Sequence, residues 1–393
     1  MDVNTMRLRF GEKIGALQRE LHRHPERSSV EYRTTERIRA AMGGLELEER
    51  GIGMPTGAAF RLCTGRKGPV ICLRADIDGL PVQEAESHEE RSEEAGMMHA
   101  CGHDVHAAGL YGAALALCAE RESLGGDVIF LFQPSEESEE MGQGAEGICK
   151  SGFFAREGIS AAFGLHNMPS MPIGTIGVGQ GPVMAAKDSF RISIQGRGGH
   201  GAMPEQCCDP IVAAAAVVMA LQTVVSRGIS PLDAAVVTVS AIHGGDADNV
   251  IGDGVSMGGS IRSLQPEARS TVIRRMEEIV QNCSAAYGCI GEIRFTSGVP
   301  ATINAPELVE IAEKAAGMTA EAAHVLRAAP VMISEDFAYY GQRLPAFFYF
   351  LGSGMPGREN APLHSADFCA HPDTALYGAC LLANTALAGQ AHF

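Results

Sequence analysis

Positive charge is scarce in this sequence. Against 47 Asp and Glu stand 31 Lys and Arg, a formal net charge of −16, and nowhere do the basic residues form a run. A protein that tracks nucleic-acid phosphates needs a basic face to displace counterions, so the balance argues against that class. Also missing is any stretch of ~18 consecutive apolar residues, the length a membrane-spanning helix requires. Met1 to Leu21 alternates charged with apolar positions where a secretory signal has an apolar core. The expectation is a cytoplasmic protein with neither membrane nor nucleic-acid partners. Internal repeats and low-complexity segments are absent too. Charged residues are only 20% of the chain and hydrophobic ones 46%, which suits a large buried core and excludes disorder by composition. The eleven cysteines are odd in number and have no repeating spacing. They suggest no disulfide framework and read mostly as small buried thiols.

At 393 residues the chain is too long for one ordinary domain. Residues 6–24 read as an amphipathic helix, with Leu8, Ile14, Leu17 and Leu21 apolar among charges, and a second helix follows Ser28. Val70–Leu73 and Val128–Phe132 are short apolar runs of the kind buried on both faces of a sheet, and an alanine-rich helix lies between them from about Val105 to Glu122. Strand, helix, strand is the alternation of an α/β domain with a largely parallel sheet. From Ser189 to Ser297 the style changes to strand, helix, strand, strand, helix, strand, the βαββαβ order of a ferredoxin-like unit. The apolar run Phe347–Leu351 returns to the first style. The predicted architecture is therefore an α/β catalytic domain, its largely parallel mixed sheet flanked by helices, over 1–186 and 298–393. An inserted α+β domain over 187–297 interrupts it.

The densest polar cluster is His99-Ala100-Cys101-Gly102-His103-Asp104-Val105-His106, just ahead of a helix. In extended chain Cys101 and His103 point to one side and would grip one metal or a metal pair. The plainer alternative is a helix start with Asp104 as its cap and a buried thiol. Gln133-Pro134-Ser135-Glu136-Glu137 follows a buried strand, at the end of a sheet where ligands bind in open α/β folds. Adjacent glutamates in a strand exit face opposite ways, so one would ligate a metal while the other handles a proton. Taken alone, a solvated acidic loop explains them as well. His166 and His364 are further strand-exit histidines. Cys101, His103, Glu137, His166 and His364 together would suit a pair of borderline divalent ions such as zinc, manganese, cobalt or nickel.

Arg74–Pro81, His99–His106, Gln133–Glu137, Gly164–Asn167, Gly196–Pro204, Ser334–Phe337 and His364–Phe368 occur in the order found in the M20 metallopeptidases. The sequence resembles the amidohydrolase branch of that family: N-acyl-amino-acid, hippurate and auxin-conjugate hydrolases. The resemblance implies a bridging ligand at Cys101, where other branches carry aspartate, with His103, Glu137, His166 and His364 completing two metal sites. It implies that Glu136 is the general base activating water for attack on the amide carbonyl. Asp78 then orients the site from a second layer, Asp76 either shares that role or caps a turn, and His99 and His106 are either ligands or donors of that second layer. In the inserted domain the resemblance places His200, within Gly196–Pro204, as a donor to the developing oxyanion, often in the partner subunit's site. Asn249 and Arg262 fall near the substrate carboxylate. Dimerisation through the inserted domain is likewise implied. His22 and His24 read as packing and helix termination, and Cys207-Cys208 as packing.

The expected function is a metal-dependent amidohydrolase with two divalent ions per subunit, cleaving a small N-acyl or N-aroyl amino acid to a carboxylic acid and an amino acid. A dipeptidase or carboxypeptidase on the same scaffold is the alternative within enzymes. A metal- and ligand-binding relative without activity is the alternative outside them.

Overall fold

The computed structural model describes residues 1–138 and 140–393, which divide into two compact units. The first comprises Met1–Gly181, Ile303–Ala329 and Asp336–Phe393. Its eight-stranded sheet runs, edge to edge, Glu48–Arg50, Ala58–Leu62, Val128–Gln133, Val70–Asp76, Ile159–Pro172, Ala346–Gly354, Ile176–Val178 and Val325–Arg327. The four central strands pair in parallel, and antiparallel pairs appear toward both edges. Every residue of Val70–Asp76, Val128–Gln133 and Ala346–Gly354 is buried, as near-continuous apolar runs require when both sheet faces are covered.

One sheet face, carrying Leu73, Phe130, Phe163 and Tyr349, shares a single hydrophobic core with helices Val3–Arg23, His103–Ala119, Val309–Thr319 and Thr374–His392. Helix Val3–Arg23 starts where the Asp2 side chain accepts the Thr5 amide at 3.0 Å, an N-cap. It buries Met6, Ile14, Leu17 and Leu21, whereas Leu8 is 87% exposed. Six residues ahead of Ile14, Leu8 lies ~120° around the helix from the buried stripe, and Met6 takes the place predicted for it. Helix His103–Ala119 begins two residues earlier than expected and ends before Glu122.

The second unit comprises Pro182–Thr302 and Pro330–Glu335, wider at both ends than 187–297 and taking in a short later segment. Its four-stranded sheet, ordered Ala235–Gly244, Gly254–Ser263, Ala186–Gln195, Ile290–Ser297, is antiparallel throughout, the ferredoxin-like order. Helices Pro210–Gly228 and Pro266–Ala286 cover it, and Phe190, Ile192, Val217, Leu221, Met257, Val272 and Met276 fill the core between. Asp209 caps the first helix by accepting the Ile211 amide at 2.8 Å, and Pro210 stands at its first position, where no N–H is needed. Pro210–Gly228 is long and apolar enough to cross a membrane by length and composition alone. Here Ala213, Ala214, Val217, Leu221 and Val224 bury its sheet side, while Ile211, Val212 and Met219 remain exposed.

Candidate metal centre

The five predicted ligands converge in the first unit. Cys101 Sγ lies 3.3 Å from His166 Nε2 and 3.3 Å from His364 Nε2, and His364 Nε2 lies 3.1 Å from Glu137 Oε1. Two donor sets result, Cys101/His103/His166 and Cys101/Glu137/His364, each with its ligand atoms within 4.8 Å of one another and both sharing the thiol. Glu136 forms a further such group with His103 and Glu137. His364 is half exposed and marks the open side.

The local backbone differs from the extended chain expected on both sides of this convergence. Cys101 and His103 flank Gly102, which adopts φ 82° and opens the helix as its N-cap. A Cβ there would stand 2.4 Å from Asn167 Nδ2, so glycine is required both for the turn and for the approach. Asp104 is not the cap; it pairs with His22. Glu136 and Glu137 lie in a turn, not a strand exit, and Ser135 before them has φ 59°. His166 sits within the buried strand Ile159–Pro172, and His364 lies in a loop with φ 64°.

Hydrogen bonds fix which ring nitrogens face the centre. His166 donates Nδ1–H to the Asn167 carbonyl at 2.7 Å, leaving the Nε2 lone pair toward Cys101. His103 donates Nδ1–H to Asp78 Oδ1 at 3.2 Å, and its buried Nε2 has no hydrogen-bond partner among the described residues. A histidine with one nitrogen bound to a carboxylate and the other bare is the arrangement of a metal ligand. His106 is different: it donates Nδ1–H to Asp76 Oδ1 at 2.6 Å and accepts the Asn167 amide on Nε2 at 2.9 Å, which leaves no nitrogen for a metal. His99 is buried with neither nitrogen hydrogen-bonded among the described residues, and burial first, then His22 and His103, lower its pKa to about 4.

The electrostatics ask for cations. Burial, then Glu137 and Glu136, push the Cys101 thiol well above its ordinary value. Burial, with His106 and His103 nearby, lowers His166 to about 3, so its ring is neutral and its lone pair available. Burial alone would lower His103, but Asp76, Asp78 and Glu137 raise it to about 10. Thiol, neutral imidazole and crowded carboxylates are the donor set that borderline divalent ions satisfy, and the residues fit two of them.

Beneath the centre lies a buried network whose members, Tyr340 apart, the sequence motifs contain without disclosing their roles. Arg74, fully buried, donates to Gln133 Oε1 at 2.8 Å, Asp76 Oδ2 at 2.8 Å and Asp336 Oδ1 at 3.0 Å. Gln133 Nε2 also donates to Asp336, Tyr340 OH donates to Gln133 Oε1, and the Asp336 amide faces Glu136 Oε1 at 3.3 Å. Burial would raise Asp76, but His103, His106 and Arg74 hold it well below the usual carboxylate range. The available signal was a lone arginine inside an apolar strand, which burial permits only with partners. His22 likewise does more than end a helix: its ring lies 3.1 Å from both Asp104 Oδ2 and Glu84 Oε1.

His200, Asn249 and Arg262 belong to the second unit. His200 and Asn249 are brought together on one two-stranded ladder, where His200 pairs with Val250 and the Gly201 amide donates to the Asn249 carbonyl at 2.9 Å. The exposed His200 ring accepts the Ala202 amide on Nδ1 at 3.0 Å, so its proton sits on Nε2. Arg262 Nη1 donates to Ser334 Oγ at 2.9 Å.

The chain is similar along most of its length to known proteins. An N-acetyl-L-cysteine deacetylase of Bacillus subtilis is 39% identical over 358 residues, covering 90% of this chain and 83% of the relative. The IAA-amino acid hydrolase ILR1-like 5 of Arabidopsis thaliana is 35% identical over 384 residues, covering 96% and 86%. The crystal structure of a dinuclear metal-binding peptidase of the M20 family from Bacillus subtilis superposes with a TM-score of 0.85 at 33% identity, covering 98% of this chain and 99% of that one. With residues 72–388 matching the model of peptidase family M20/M25/M40 on top of this geometry, the chain belongs to that family and its dinuclear, metal-dependent hydrolases.

Proposed function

We propose that the protein hydrolyses the amide bond of small N-acyl amino acids, releasing a carboxylic acid and the free amino acid. The observation that carries this reading is a thiol shared by two donor sets beside an additional glutamate, Glu136, which neither set needs. The deacetylase and the IAA-amino acid hydrolase named above act on blocked amino acids, which favours that substrate class. Divalent ions, when bound, polarise the scissile carbonyl and acidify the attacking water. Glu136 takes the proton from that water and returns it to the leaving amine. His200, with its proton fixed on Nε2 by the Ala202 amide, donates to the developing oxyanion, and Arg262 and Asn249 receive the substrate carboxylate.

The inserted unit serves as a dimerisation surface in this reading. Its edge strand Ala235–Gly244 exposes Val236 and Ile242, and helix Pro210–Gly228 exposes Ile211, Val212 and Met219, more apolar side chains than a monomer usually leaves open on one small unit. Met219→Glu combined with Val236→Lys turns a dimer into a monomer by sedimentation velocity; a wild-type monomer ends the idea. All eleven cysteines are free thiols, which suits a reducing cytoplasm.

The test of function is amine release from N-acetyl, N-benzoyl and N-indoleacetyl amino acids beside unblocked dipeptides, after chelation and reloading with manganese, cobalt or zinc. Metal-dependent release from the blocked amino acids supports the reading. Release from dipeptides alone assigns a peptidase, and metal-loaded protein that binds a blocked amino acid without cleaving it assigns a binding protein.

A further inference from the structure

The turn that carries Glu136 and Glu137 does not hold itself. Ser135 sits in the left-handed region at φ 59°, a conformation that residues with a side chain keep only when their surroundings impose it. The amides on either side of Glu136 are each taken by a buried carboxylate. Asp78 Oδ2 accepts the Glu137 amide at 2.9 Å, and Glu31 Oε1 accepts the Ser135 amide at 2.8 Å.

Asp78 already belongs to the centre through His103, but Glu31 comes from the segment before helix Tyr32–Met42 and has had no part in the chemistry so far. It is fully buried. Its Oε2 accepts Thr56 Oγ1 at 2.8 Å, and its carbonyl accepts Thr35 Oγ1 at 2.6 Å. Two residues earlier, the Ser29 amide donates to Ser135 Oγ at 2.9 Å, so the same segment grips Ser135 twice. Burial first, and then the like charge of Asp78, both act against ionisation of Glu31. A buried carboxyl held by hydroxyl and amide donors beside another carboxylate is a costly choice for packing alone.

We propose that Glu31 is a positioning residue for hydrolysis: by holding the Ser135 amide it fixes the turn, and with it the direction in which Glu136 presents its carboxylate. The inference rests on Glu136 being the base. The Asp336 amide donates directly to Glu136 Oε1 at 3.3 Å, whereas Glu31 restrains the backbone of the turn that carries it.

The full chain, metal-free and loaded with manganese, is compared with Glu31→Ala, Glu31→Gln and Thr56→Val. Hydrogen–deuterium exchange is followed over residues 133–138, and kcat and KM are measured on an N-acetyl amino acid. In Glu31→Ala the exchange of 133–138 accelerates about tenfold or more while strand Val70–Asp76 stays protected. Its kcat falls roughly 10- to 100-fold with KM and manganese stoichiometry unchanged. Glu31→Gln, which keeps an acceptor oxygen for the Ser135 amide, recovers most of both. Unchanged exchange in Glu31→Ala, or an equal kcat loss in the Ala and Gln variants, overturns the proposal. Should Glu31→Ala not fold, Thr56→Val, which loosens the carboxyl from its other oxygen, carries the same two readouts at smaller size. If the wild type cleaves no amide, the assignment of Glu136 falls, yet exchange over 133–138 still decides whether Glu31 holds the turn.

Discussion

The Asp78 carboxyl faces the His103 ring with Oδ1 3.2 Å from Nδ1, which turns the bare Nε2 of that ring into the centre. The same side chain takes the Glu137 amide on Oδ2, so one residue orients two of the candidate ligands. Asp78→Ala is expected to weaken metal binding by ~10- to 100-fold, the usual cost of losing such a partner. Competition against a chelator of known affinity measures it, and an unchanged affinity would remove Asp78 from the centre.

Glu136 and Glu137 are neighbours with different expected phenotypes. Glu136→Gln keeps two metals per chain by elemental analysis but loses turnover by several orders of magnitude, because the amide cannot take up a proton. Glu137→Gln loses metal affinity first, and its activity returns in part at high metal concentration. Unaltered turnover in the Glu136 variant sinks its assignment as the base.

Arg262 tests the substrate end. If it receives a carboxylate, Arg262→Ala raises KM for free-acid substrates far more than for the corresponding amides, with kcat less affected. Equal effects on both substrate forms refute that role and leave its bond to Ser334 as structural.

The His22 triad makes stability pH-dependent. Burial alone would lower the His22 pKa, but Asp104 and Glu84 outweigh it and raise it from 6.5 to about 10. A group whose folded pKa is raised contributes in full below its unfolded value and loses that contribution as pH climbs through the folded one. On the acid side, burial would raise Asp104, but His22 draws it down from 3.8 to about 2, so its share fades as pH falls through that range. His22→Gln is therefore expected to cost roughly 1–3 kcal/mol at pH 6 and progressively less toward pH 10, as followed by urea unfolding of both proteins. A difference that stays constant from pH 6 to 10 would falsify the charged triad.

Much of this was legible before any coordinates. Val70–Asp76 and Val128–Gln133 announce themselves because strands buried on both faces are apolar without alternation, and the second unit because strand and helix patterns alternate there in the order βαββαβ. The candidate ligands were legible as motifs. How they converge was not, since it depends on a left-handed Gly102 and a left-handed Ser135, and neither motif encodes that turn through spacing. Leu8 misled because an apolar residue in a helix says nothing of its azimuth until its neighbours are fixed. Glu31 and Arg74 act through partners more than a hundred residues away, Ser135 and Asp336, and no local pattern carries such information.

The candidate ligand set runs from Cys101 to His364, and the second unit lies wholly between them in the chain. Strand Ala346–Gly354, which completes the middle of the large sheet, also follows that insertion. On a ribosome, residues 182–302 emerge and can collapse while the centre still lacks its last histidine and the sheet its parallel neighbour. The insert can therefore collapse as a unit before the candidate site for two ions is assembled, because His364 is synthesised after it.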